Sequence, residues 1–205
     1  SVATVSKALN NQGDIGEDTK EKIKNTAKRL GYHPNFSARA LKTNRTYNLG
    51  VLYKEGSGSG LTHDYFSQVL ESFKNTAENS GYDITFLSNS KIRKDSMSYL
   101  EHTIYRRMDG VMVAVADYKD AEVIALLQSE VPVVTIDYLF NGRISIMSDN
   151  ITGMQELLSY IYSQGRRKIA YICGEESLVT TNRVSTYYRF MEEHGIQIRG
   201  EFLQK

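Results

Sequence analysis

The chain has 205 residues, 40% apolar and 24% charged, a globular composition with room for one or two cored domains. No apolar stretch approaches the ~18 residues of a membrane-spanning helix. The single cysteine, Cys173, excludes an intramolecular disulfide framework and fits a reducing compartment. The formal charge of +1 is unevenly spread. Residues 1–48 hold nine Lys/Arg against four Asp/Glu, a net of +5, which leaves 16 basic and 20 acidic residues in the remainder, a net of −4. A basic arm on a mildly acidic body is the footprint of a protein that meets a polyanion at one end.

In chain order, Thr4–Asn10 reads as a short helix with Val5, Ala8 and Leu9 on one face. A second helix, Gly16–Leu30, groups Ile23, Ala27 and Leu30, carries Asp18 and Glu21 near its amino end, and is closed by Gly31. Pro34-Asn35 starts a third short segment, Phe36–Lys42, and Thr43–Thr46 is a polar linker. These residues are too few for much of a core and must lean on other structure or fold on a partner. From Tyr47 the pattern changes. Apolar strands are read at Asn48–Tyr53, Tyr82–Leu87, Gly110–Val115, Val133–Ile136, Ile144–Met147 and Lys168–Cys173. Between them lie amphipathic helices: one built on Phe66, Val69, Leu70, Phe73 and Ala77, one on Met97, Leu100, Ile104 and Met108, then Ala121–Ser129, Ile151–Gln164 and Val179–Glu193. Continuously apolar strands alternating with such helices predict an α/β fold with a doubly wound parallel sheet.

Four blocks in the amino-terminal segment carry more specific information: Ser1–Asn10 (SVATVSKALN), Thr19–Ile23 (TKEKI), Gly31–Asn35 (GYHPN) and Ala38–Leu41 (ARAL). In order and spacing they resemble the helix-turn-helix headpiece of the lactose-repressor (LacI/GalR) family, and the resemblance continues through the sheet region. It implies a sequence-specific, DNA-binding transcription regulator, a repressor in the family's usual sense, controlled by a small effector, here a sugar or similar polyol. It implies a homodimer reading a pseudo-palindromic double-stranded operator, with no cofactor, no metal and no membrane partner. The headpiece would be partial (residues 1–34), lacking the family's first helix, followed by a hinge helix and linker (35–46). A first lobe of periplasmic-binding-protein type (47–148) and the start of a truncated second lobe (149–205) would complete the chain, the latter marginally stable because its sheet edge is exposed.

Within that frame the residues have legible chemistry. Val2, Ala3 and Lys7 occupy the positions that, by resemblance, face base edges. Of these, Lys7 is the strongest reader, since a cation engages guanine O6 and N7. Ser1, Thr4, Ser6 and Asn10 carry hydroxyl or amide groups suited to phosphate oxygens, while Val5 and Leu9 would dock the helix. The resemblance makes Asn35–Lys42 the hinge, with Asn35 at its start, Ala38 permitting close approach of the paired hinge and Leu41 wedging into the minor groove. Ligands of doubly wound sheets sit at the carboxyl ends of strands. The effector candidates there are Tyr65 and Phe66 after the first strand, Asp117 (beside Tyr118) after the third and Asp137 after the fourth. Arg183 falls where the family often keeps an arginine for an effector hydroxyl or carboxylate.

Other readings are open. A solute-binding or sensor module that never touches DNA shares the sheet domain. Ser88–Lys91 forms an S-x-x-K and Ser148–Asn150 an S-D-N, as in penicillin-recognising serine enzymes. But Ser88 leaves a strand instead of opening a helix, and no K-T-G follows, so an enzyme is not expected. The histidines His33, His63, His102 and His194 are scattered without metal-ligand spacing, and Cys173 reads as a buried strand thiol.

Overall fold

The computed structural model describes residues 1–32, 45–54, 60–88, 97–174, 176–198 and 203–204. The expected hinge helix, with Asn35, Ala38 and Leu41, lies outside the described residues, as do His33, Lys91 and all but Gly60 of the Gly/Ser loop. The chain forms two compact units, Ser1–Tyr47 and Asn48–Lys205.

The first unit holds α1 (Val2–Leu9) and α2 (Glu17–Arg29). Ser1 caps α1, its Oγ accepting the Thr4 N–H at 3.3 Å. In α2, Glu17 and Asp18 lie in the first turn and Lys28 and Arg29 in the last, each sign at the favourable end of the helix dipole. Gly31, at φ 63°, closes α2 in a Schellman motif. The N–H of Gly31 donates to Lys28 O at 3.2 Å and that of Tyr32 to Ala27 O at 2.9 Å. The buried position of α1 is Ala8, at 0% exposure, whereas Val5 remains 41% exposed and Leu9 half-buried. Of the expected face Val5, Ala8 and Leu9, Ala8 is thus the fully buried member and Val5 the most exposed.

The second unit is built on a five-stranded, wholly parallel sheet of order β2-β1-β3-β4-β5, with β1 Asn48–Tyr53, β2 Asp83–Phe86, β3 Gly110–Val115, β4 Val133–Ile136 and β5 Ile144–Ile146. Alternation along the strands feeds two faces. On one, Leu52, Val111 and Val113 pack with Tyr99 of α4 (Tyr99–Tyr105) and Val123, Leu126 and Leu127 of α5 (Ala121–Gln128). On the other, Val51, Met112, Ala114 and Ile136 meet Phe66, Val69, Leu70 and Phe73 of α3 (Asp64–Asn79). Helices on both faces make this a doubly wound sheet. Beyond it, α6 (Asn150–Ser163) and α7 (Leu178–Glu193) bury Met154, Leu158, Tyr187, Phe190 and Met191 around Ile169, and the Tyr187 hydroxyl donates to Ile169 O at 2.7 Å. A short parallel pair, β6 (Tyr171–Ile172) and β7 (Leu203–Gln204), accompanies them.

Two details position the strand ends. Ser98 and Glu101 form a reciprocal capping box that starts α4 at Tyr99, so Tyr99 and Thr103 are the buried positions while Ile104 is 61% exposed. Met108 enters the core from the turn after the helix. It lies over Gly50, where an added Cβ would come within 2.7 Å of its sulfur. Arg143 spans the connection from α5 to β4, donating from Nε to Leu127 O at 2.6 Å, from Nη1 to Val131 O at 3.0 Å and from Nη2 to Ser129 O. A cation at the carboxyl end of α5 also suits the helix dipole.

Candidate functional site

On α1, the polar row is partly engaged with the helix itself. Ser1 Oγ and Thr4 Oγ1 lie 3.0 Å apart, and Asn10 Nδ2 donates to Ser6 O at 2.7 Å. Val2 is 88% exposed and Ala3 is exposed, so a face of short side chains stands open at the start of the helix. Lys7 is paired with Asp14, Nζ to Oδ2 at 2.5 Å. The carboxyl of Asp14 is held below the usual carboxylate range chiefly by that hydrogen bond. Lys20 is 5% exposed and bonds Glu17 at 2.6 Å; Lys24 donates to Asn11 Oδ1 at 2.9 Å.

The second group of polar residues converges at the carboxyl ends of β4 and β5. Asp137 follows β4 with φ 54°, a left-handed conformation that Asp tolerates better than most residues. Its N–H donates to Ile146 O at 2.8 Å, which ties the turn to β5. Its Oδ1 accepts the N–H of Ser148 at 2.7 Å, and its Oδ2 accepts the hydroxyls of Tyr65 at 2.9 Å and of Ser148 at 3.2 Å. Tyr65 and Ser148 are themselves 3.0 Å apart. Burial raises the Tyr65 hydroxyl above its ordinary pKa, opposed by the Ser148 bond and reinforced by Asp137. Ser148 O accepts from Asn150 Nδ2 at 3.0 Å, and Arg183 Nε donates to Asn150 Oδ1 at 2.7 Å. A continuous chain, Tyr65–Asp137–Ser148–Asn150–Arg183, therefore runs from α3 to α7 through the start of α6. Asp149 caps α6 by accepting the Thr152 N–H at 3.0 Å.

Of the expected effector residues, Tyr65, Asp137 and Arg183 belong to this chain. Phe66 is turned to the core, its ring 5.8 Å from Tyr53, 5.2 Å from His63 and 4.9 Å from Tyr65. Asp117 serves its own turn, accepting the N–H of Lys119 at 2.9 Å. Tyr118 stacks on Tyr138 with ring centroids 3.4 Å apart, and burial pushes its hydroxyl pKa well up. Two participants, Ser148 and Asn150, were not among the expected effector residues. Their signal is a Ser-Asp-Asn run between a strand and a helix, the same three residues that mimic a serine-enzyme motif. Ser88 follows β2, and the residues after it lie outside the described ones. Among the described residues no group of three or more His, Cys, Asp or Glu is placed to hold a metal, and no helix is long and apolar enough to cross a membrane.

Residues 1–35 match the family model of bacterial regulatory proteins, lacI family, and residues 46–203 match that of periplasmic binding proteins and the sugar-binding domain of the LacI family. The chain belongs to the LacI family. Among curated LacI-family relatives, it is 25% identical over 197 residues to the HTH-type transcriptional regulator MalR of Streptococcus pneumoniae serotype 4, covering 95% of this chain and 60% of that one. It is 28% identical over 209 residues to the transcriptional repressor PurR of Serratia proteamaculans, covering 99% and 60%. It thus spans about 60% of the length of these relatives. Its fold is similar to that of a chain in the crystal structure of the lac repressor dimer bound to operator and the anti-inducer ONPF (TM-score 0.75, 21% identity, 96% of this chain and 59% of that one). A complex of the regulator CelR with cellobiose is also similar (TM-score 0.62, 20% identity, 100% and 61%).

One consequence of the LacI-type sheet is testable without a ligand. The Tyr118 hydroxyl is buried and has no hydrogen-bond partner among the described residues. Tyr118→Phe removes an unsatisfied polar group while keeping the stack, so stability should hold or rise by about 1 kcal/mol in urea unfolding. A fall of that size would show that the hydroxyl has a partner.

Proposed function

We propose that the protein is a sequence-specific, DNA-binding transcription repressor, homodimeric and cytoplasmic, controlled by a small effector of the sugar or polyol class, and not an enzyme. The observation that carries this is the presence on one chain, in order, of a match to the lacI regulatory headpiece and a match to the family's sugar-binding domain. A solute-binding module without DNA contact leaves residues 1–35 without a purpose. The operator-bound lac repressor dimer and the cellobiose-bound CelR among similar structures support the same partners.

In this reading residues 1–34 are the headpiece, 35–46 the hinge and linker, 47–148 the first lobe and 149–205 the start of the second. Lys7, Val2 and Ala3 read base edges in the major groove of a pseudo-palindromic operator; Ser1, Thr4, Ser6 and Asn10 contact phosphates; Asn35, Ala38 and Leu41 form the minor-groove hinge. Tyr65, Asp137 and Arg183, joined by Ser148 and Asn150, hold the effector's hydroxyls, with Phe66 and Asp117 at the margin. An effector bridging α3 and α7 biases the angle between the lobes and with it the ordering of the hinge.

The test is binding of the intact protein to a palindromic duplex selected from a randomised pool, at several salt concentrations. Affinity should fall steeply with salt. Lys7→Ala should weaken binding by about 1–3 kcal/mol and relax the base preference at one position in each half-site. Affinity flat in salt, or Lys7→Ala without effect on preference, would sink the reading. A thermal-shift screen against sugars, phosphosugars and nucleobases names the effector class.

A further inference from the structure

We propose that Asp14 is a specificity-determining residue: its carboxylate holds the Lys7 ammonium and yields it to a base edge that offers two acceptors, but not to a lone phosphate oxygen. This rests on the reading above that α1 enters the major groove. The bond itself is independent of that reading. Lys7 Nζ lies 2.5 Å from Asp14 Oδ2, and the two side chains keep 44% and 54% of their exposure, so the ammonium is reachable while it is paired.

Asp14 is fixed relative to Lys7 by the turn between α1 and α2. Gln12 N donates to Lys7 O at 3.0 Å and Asn11 N to Ala8 O at 3.2 Å, with Asn11 at φ 60°. Lys24 of α2 anchors Asn11 by its side chain. The acid is therefore set by the fold beside the lysine, seven residues away in sequence. Glu17, another acid of this unit, is committed to the buried Lys20, whereas Asp14 pairs with a residue of α1.

The chemistry follows from comparing acceptors. A paired ammonium gains little by leaving one oxygen anion for another, so a phosphate contact through Lys7 is nearly an exchange of equals, and the carboxylate left behind faces a polyanion. Guanine offers O6 and N7 together on one edge. There the lysine gains two acceptors, and Asp14 can itself accept from a cytosine N4 amino group, a contact no phosphate supplies. The pair thus lowers affinity for random DNA more than affinity for the right base pair. An exposed ion pair is weak and salt-screened, so the latch opens readily at a cognate site.

The experiment uses the intact protein with two probes, the selected palindromic duplex and poly(dA-dT), whose purine edge has no O6/N7 acceptor pair, for the wild type, Asp14→Asn, Asp14→Glu, Lys7→Met and the Lys7→Met/Asp14→Asn pair, each checked for an unchanged melting temperature. Asp14→Asn should tighten binding to poly(dA-dT) by about two- to fivefold and steepen its salt dependence by about 0.9 in log–log slope, one added phosphate contact. Operator affinity should rise less or fall, so the specificity ratio drops, and Asp14→Glu should restore most of it. In the Lys7→Met background the same change should do much less. An unchanged ratio in Asp14→Asn overturns the proposal, as does an equal effect with and without Lys7, which would mean simple repulsion of phosphate. If the folded wild type binds neither duplex, it is the DNA reading that fails, and this proposal falls with it.

Discussion

Asp137→Ala should destabilise the protein by about 3 kcal/mol and remove its thermal response to effector. The carboxylate accepts three hydrogen bonds, from the Ser148 backbone and from the hydroxyls of Tyr65 and Ser148. Charge-assisted bonds of this kind are each worth more than neutral ones, and the Ser148 N–H would be left with no acceptor in a half-buried place. Alanine also carries a penalty of about 1–2 kcal/mol at φ 54° that aspartate partly escapes. Asp137→Asn tolerates that conformation and keeps an acceptor for Ser148 N–H, so its cost should be about half. Urea unfolding of the three proteins measures the series. A loss below about 1 kcal/mol in Asp137→Ala would show that the crossing from β4 to α6 is held elsewhere.

The second large effect is on ligand affinity. Arg183→Ala should weaken the effector about 100-fold while costing about 1 kcal/mol of stability, the difference between losing a charge-assisted donor pair to ligand and losing the one bond to Asn150. Its Nε is committed to Asn150 at 2.7 Å, which orients the planar group and presents Nη1 and Nη2 for a hydroxyl or carboxylate. Lysine has neither the fork nor the second donor set, so Arg183→Lys should rescue poorly. Calorimetric titration with the sugar that gives the largest thermal shift reads both variants. Equal affinity in wild type and Arg183→Ala would remove this residue from the site and leave Asn150 as the reader on that side.

The strands of the sheet core were legible because burial on both faces writes itself as an unbroken apolar run. Gly110–Val115 and Val133–Ile136 occur with the expected bounds. The face of α4 was not legible. Leu100 and Ile104 have helical spacing, but the Ser98/Glu101 box fixes where the helix begins, and that places Tyr99 and Thr103 inward. Of the expected strand Lys168–Cys173, Tyr171–Ile172 is strand, paired with Leu203 and Gln204 of β7. At the site, Asp137 and Arg183 could be picked out by strand end and by family pattern. Ser148 and Asn150 stood out only as a Ser-Asp-Asn run; their link to Asp137 was hidden, since it depends on Asp137 bending back through a positive φ, and Thr-Ile-Asp-Tyr contains no glycine to announce such a bend. The Lys7–Asp14 pair was equally hidden, because a seven-residue separation across a turn has no fixed geometry until the turn itself is known.

The sheet's topology also bears on how the chain reaches this state. Every ladder among the five strands is parallel, so no neighbouring pair closes through a tight hairpin, and each must wait for an intervening segment to fold back. Such non-local closure is slow, and unpaired strands persist while it proceeds. The edge strand β5 carries Ile144 at 70% and Ile146 at 58% exposure, a combination of open backbone and apolar side chains that templates pairing between molecules. Refolding yield should therefore be governed by protein concentration, with dilute refolding giving native protein and concentrated refolding giving aggregates nucleated at β5.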